Sequence, residues 1–304
     1  MTTPQNNLVP ILNQFLTQVN SYNEYWIYIP STGGALYHYT DLNGLYGILK
    51  SQDMWLTHSR YLNDSEEINL GYQVARDVIT VRRLTETDPQ QENYLNLLLG
   101  NLQPENAASI YISCFCREDN LLSQWRGYGA NGSGVCIQFD AQRFDVISGP
   151  DAPPDSMMRL WSVFYNRTTQ QNIIHDALRF AYRDELDIAG RARLAQYLIE
   201  FFIPTFKSQD FQEEKEYRLI FTPTNAYARP PDFRVGRNML IPYYRLRSLT
   251  SGADQAEFRL PITGITVGPG IHKNLNVESV RSLLQQAGYP PGIRVSASDT
   301  AYRG

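Results

Sequence analysis

Two carboxylates one residue apart, Glu214 and Glu216, open the segment EEKEYRLIF. On a strand this spacing sends Glu214, Glu216 and Arg218 to one face and Tyr217, Leu219 and Phe221 to the other. A carboxylate pair can serve as acid and base in a hydrolase or nuclease. A fixed anion can also stabilise positive charge that develops in a transition state. His38 stands between two tyrosines in LYHYT, and Ser113 interrupts the apolar run ISCFC, so both are polar groups on apolar segments. Each has an ordinary role beside the chemical one. A histidine on such a strand can be a satisfied core residue, Ser113 can bond its own backbone surroundings, and the two glutamates can pair with Lys215, Arg218 or other surface charges.

The remaining constellations carry less. Cys114, Cys116 and Cys136 are too few for a disulfide framework and lack structural-zinc spacing, so they read as reduced, buried thiols. The glycine-rich GYGANGSG, from Gly127 to Gly134, is followed by no Gly-Lys-Ser or Gly-Lys-Thr and leads into a strand, which excludes a P-loop. A Ser-His-Asp hydrolase finds no nucleophile elbow in a convincing context.

Composition bounds the partners. A net charge of -4 argues against a whole-surface nucleic-acid binder, which needs excess Lys and Arg. A local patch stays open at Arg229, Arg234 and Arg237, on a proline-rich connection. No apolar stretch reaches bilayer-spanning length and the N-terminus is polar, so the expectation is a cytoplasmic protein with no membrane partner.

The elements that must position these residues are α+β in character, and their order lacks regular βαβ alternation. That pattern predicts a mixed or largely antiparallel sheet with packed helices. We expect a single domain over residues 1–304, with its core at roughly 35–300 and a short helical segment at 8–20. Ala35–Tyr39 reads as a strand, followed by Thr40 as a cap and a helix carrying Leu42, Leu45, Ile48 and Leu49. Further strands are expected at Met54–Thr57, Ser109–Cys116, Val135–Asp140, Met158–Tyr165, Glu214–Thr222, Ile262–Val267 and Ile293–Ser296. A capping box at Asp64 and Glu67 should open one helix, another should run from Ile173 to Phe202, and a third should be capped near Asn276 and stopped by Gly288. Residues 85–106 read as polar and irregular apart from a short helix near Tyr94–Leu99.

Three blocks then carry a family resemblance: LYHYTDLNGLYGIL with WLTHSRYLNDSEE, ISCFCREDNLLSQWRGYG with GVCIQFD, and EEKEYRLIF. With ITGITVGPGIH and VSASDTAYR they follow, in order, the bacterial DUF2971 family of unknown function. The same blocks resemble the three site motifs of the ADP-ribosyltransferase superfamily, with His38 matching the first, Ser113 the second and Glu216 the third. That resemblance implies a split-sheet fold and an enzyme that consumes NAD, by transfer to a protein or nucleic-acid acceptor or by hydrolysis. It implies a toxin or phage-defence role as well. Glu216 would stabilise the ribosyl cation, Glu214 would position the acceptor, and His38 would hold a ribose hydroxyl. Tyr39, Thr40, Ser113, Trp125 and Tyr128 would contact the dinucleotide, and no metal is expected. A His first motif with a Glu-x-Glu third motif mixes two branches of the superfamily, which leaves the acceptor open.

Overall fold

The computed structural model describes residues 8–20, 34–62, 66–106, 109–143, 156–223, 229–236, 238–249 and 259–302. Asp64, the expected capping residue, lies outside them. Chain packing divides the protein into two compact units, each assembled from separate stretches of sequence.

The first unit is helical, built from α1 (Leu8–Asn20), α3 (Glu66–Thr85), α4 (Pro89–Asn101), α6 (Arg167–Ala181) and α7 (Ile188–Phe202). Its apolar faces meet around Phe15, whose ring lies edge-on to Phe180 at 5.1 Å and Phe202 at 5.9 Å. The expected long helix is two helices. Asp187 accepts a hydrogen bond from Gly190 N at 2.6 Å and so caps α7 after a turn. Helix α4 is longer than expected because Asp88, accepting from Gln90 N at 2.9 Å, caps a helix that begins with Pro89. Inside the unit Lys207 pairs with Glu67 at 2.8 Å, both buried.

The second unit contains the sheet. Its strands are β1 (Ala35–Thr40), β2 (Trp55–His58), β3 (Tyr111–Cys116), β4 (Val135–Asp140), β5 (Ser156–Ser162), β6 (Glu216–Pro223), β7 (Asp232–Val235), β8 (Leu240–Arg245), β9 (Ile262–Val267) and β10 (Arg294–Ala297). The order is β10-β9-β4-β1-β3-β2-β8-β7, with β6 on β3 and β5 on β6. All these pairs are antiparallel except β9 with β10. The expected mixed, largely antiparallel sheet with packed helices is therefore what the chain forms. The helices of this unit are α2 (Leu42–Ser51), α5 (Leu122–Gly127), α8 (Leu246–Leu249) and α9 (Lys273–Gln286). Asp41, not Thr40, caps α2, accepting from Gly44 N at 2.6 Å.

One face of the sheet, with Leu36, Phe115, Ile137, Leu219 and Phe221, is the main core. The other carries smaller clusters: Tyr39, Cys116, Trp125 and Cys136 in one, Ile110, Ile112 and Ile220 in another. Two glycines let strand ends close up. A Cβ on Gly134 would stand 2.2 Å from Thr40 O, and one on Gly268 would stand 2.4 Å from Gly132 O. The expected proline-rich connection before residue 236 contains β7, which forms a hairpin with β8. Among the described residues no helix is long and apolar enough to cross a membrane.

Candidate functional site

Strand register decides which candidate side chains meet. Residues directly opposite each other in an antiparallel pair share a face. Tyr37 pairs with Cys116, and Cys116 pairs with Glu216. Glu216 therefore lies on the face of Tyr37. His38, one residue along β1, pairs with Ile137 on the opposite face. Ser113 pairs with Leu219 and shares the core face with His38. The three motif residues are therefore not brought together: the sheet separates Glu216 from His38 and Ser113.

Each has a structural occupation. Tyr37 is the β1 residue in register with β3, while the other edge of β1 pairs with β4 along its whole length. The His38 ring bridges from β1 to β3, with Nδ1–H donating to Cys114 O at 2.9 Å and the ring edge-on to Phe115 at 5.9 Å. Burial pushes this imidazole below its usual pKa, and the carbonyl bond offsets part of that. Ser113 is buried. Thr40 ends β1, immediately before the cap of α2.

On the opposite face Glu216 and Arg218 form a bidentate pair, Nε to Oε1 at 2.9 Å and Nη2 to Oε2 at 3.0 Å, with both side chains buried. Glu214 does not extend this strand. It ends a 3-10 turn, and Lys215 takes a left-handed φ of 46°, which breaks the alternation expected for Glu214 and Glu216. Glu214 instead turns outward, where its Oε1 accepts from the hydroxyl of the exposed Tyr128 at 3.2 Å.

The structure thus gathers Glu214, Tyr128, Tyr39 and Trp125 near the exit of β3 and the entry of β6. Arg117 N donates to Lys215 O at 3.0 Å, and Lys215 Nζ reaches Glu118 at 2.6 Å. Tyr39 is buried; its hydroxyl accepts from Leu121 N at 2.9 Å, donates to Glu118 O at 3.1 Å, and thereby pins the loop. Burial raises the pKa of this phenol strongly, so it stays protonated. Trp125 is fully buried, edge-on to Tyr39 at 4.9 Å, and its Nε1–H donates to Asn120 Oδ1 at 3.1 Å. Neither ring is placed to stack on a nicotinamide; Tyr128 is the exposed aromatic of the set.

Asn120 was not singled out in the sequence, yet it is the hub. Its Oδ1 also accepts from Ser298 Oγ and from Thr300 Oγ1, the latter at 2.9 Å. Asn120, Ala130, Asn131 and Lys215 all have positive φ in this region. Asn tolerates that conformation well, and an Asn closing the charged turn 117–119 after an apolar strand was the available signal.

The thiols of Cys116 and Cys136 lie beside this cluster. Burial pushes Cys116 up to about 11 and raises Cys136 further, so neither is a thiolate nucleophile. What the arrangement offers chemically is an accessible carboxylate, Glu214, held by a phenol, beside the Lys215–Glu118 ion pair and close in sequence to a buried and already neutralised Glu216–Arg218 pair.

No curated protein and no solved structure matches the chain. Over residues 124–219, a span that includes Trp125, Tyr128, Glu214, Glu216 and Arg218 but not His38 or Ser113, the chain matches the model of a family described as a protein of unknown function, DUF2971.

Proposed function

We propose that this chain works as a binding module that contacts a protein partner through the β7–β8 hairpin. The observation that carries the reading is an apolar strip at a sheet edge: Phe233, Val235 and Leu240 are 62%, 85% and 62% exposed. Register puts the three on one face, since Val235 is opposite Leu240 and Phe233 is opposite Pro242. Exposed contiguous apolar surface of this kind marks interaction sites, and a strip of such side chains with a net charge of -4 favours protein over a polyanion. The placement of Glu216 on the sheet face opposite His38 and Ser113 supports this reading over NAD cleavage by those three residues.

The test pairs calorimetry and thermal melting with NAD, since a ligand specific for the folded state raises its apparent stability. We expect no binding, no shift and no nicotinamide release at millimolar NAD. Turnover that disappears in Glu214→Gln with the fold intact would overturn the module reading. It would favour a second one, which the Glu214–Tyr128 contact supports: a carboxylate-based NAD-consuming or hydrolytic centre at the end of β3 and β6.

A further inference from the structure

The hairpin's geometry points to one occupant. We propose that β7 pairs antiparallel with β7 of a second copy of this chain, about a two-fold axis through Phe233. The proposal rests on the reading of this edge as a binding surface. Within the hairpin Gly236 N donates to Met239 O at 2.8 Å, so residues 236 and 239 form a hydrogen-bonded pair. Alternation along an antiparallel ladder then makes Arg234–Ile241 and Asp232–Tyr243 bonded pairs and leaves Val235–Leu240 and Phe233–Pro242 non-bonded. Pro242, which has no N–H to give, occupies a non-bonded position, as this alternation requires. Phe233 and Val235 consequently aim their N–H and C=O groups away from β8, toward the edge of the sheet. Among the described residues β7 pairs with no other strand.

The edge is self-complementary in one register. Centred on Phe233, the two Phe233 residues face each other and exchange both N–H···O bonds, and each Val235 N–H reaches the carbonyl of Pro231 in the second copy. On the opposite face Asp232 stands across from Arg234 of the second copy, and the same pair repeats across the axis. Asp232 also pairs with Arg245 of its own copy at 2.9 Å, while the Arg234 guanidinium lies over its own Trp55 ring and donates to Thr57 Oγ1 at 3.2 Å. A shift to an axis through Arg234 would set the two arginines directly opposite each other, which is unfavourable. Two-fold closure uses the same patch on both copies and consumes the β7 edge of each, so this contact does not propagate. Pro230 and Pro231 stop the ladder from lengthening, so the interface is small and the association depends on concentration.

Sedimentation velocity from low micromolar to millimolar protein should show a monomer–dimer equilibrium. Hydrogen exchange should show the Phe233 and Val235 amides protected only at high concentration. Asp232→Arg should weaken dimerisation by at least about tenfold, by turning two attractive pairs into repulsive ones, and adding Arg234→Asp should restore it. Val235→Pro, which removes an N–H that β8 does not use, should weaken it with the melting temperature of the monomer kept. A chain monomeric at every concentration, or a dimer whose Phe233 and Val235 amides exchange freely, overturns the proposal. The two readings fail separately: a monomer without NAD turnover sinks the dimer alone, and a dimer with NAD turnover sinks the module reading alone.

Discussion

Glu216→Gln is the most informative single change, because the two roles considered for Glu216 predict opposite effects on stability. In the structure both oxygens of Glu216 are bonded to Arg218, and the pair is buried on a sheet face lined by Ile112, Cys114 and Ile220. Glutamine keeps the shape and one acceptor but removes the anion, so the Arg218 guanidinium loses its bidentate counter-charge without regaining water. Breaking one side of a buried pair costs about 3–5 kcal/mol. For a unit of this size that corresponds to a fall in melting temperature of roughly 6–20 °C. Thermal and urea melts followed by circular dichroism read the change directly. The double variant Glu216→Leu with Arg218→Met should lie much closer to the original than Glu216→Gln does, since an apolar replacement of both partners removes the stranded cation. A Glu216→Gln protein within about 0.5 kcal/mol of the original would refute the structural role and return Glu216 to consideration as a ligand-binding carboxylate.

Tyr39→Phe removes a buried hydroxyl that serves both Leu121 N and Glu118 O, so it should cost about 1–3 kcal/mol and raise proteolysis of the 117–121 loop. His38 is held neutral, with its folded pKa below the unfolded value near 6.5, so the unfolded chain binds the extra proton first. Stability should fall as pH drops below about 6.5, and that slope should flatten in His38→Gln, measured by melts across the range. Gly134→Ala brings a methyl group against Thr40 O, where the backbone must move, and should destabilise by about 1–3 kcal/mol in the same assay.

What was legible in the sequence was mostly local. Period-two and helical patterning located the strands and helices around His38, Ser113 and Glu216, because each is fixed by its own apolar face. Edge strand β7 was hidden, since Pro230 and Pro231 precede it and Asp232-Phe-Arg-Val is too short to outweigh a proline-rich context. The break at Lys215 was hidden for a different reason. A left-handed lysine carries no compositional mark, yet it turns Glu214 away from the face that Glu216 occupies.

The decisive quantity for the candidate site, whether Glu216 shares a face with His38, belongs to neither strand alone. Parity along β1 separates His38 from Tyr37, and parity along β6 separates Glu216 from Tyr217, but only the register Tyr37–Cys116–Glu216 links the two strands. A slip of one residue between β1 and β3 would have put His38 opposite Cys116 and on the side of Glu216. The slip is resisted by both faces at once. It would move Tyr39 out of its contacts with Trp125 and the 117–121 loop, and would move Leu36 out of the main core. The side chains that fix the register are therefore the apolar and hydroxyl-bearing neighbours of the candidate residues. Motif order in a chain constrains the sequence of strands and leaves their faces to this packing.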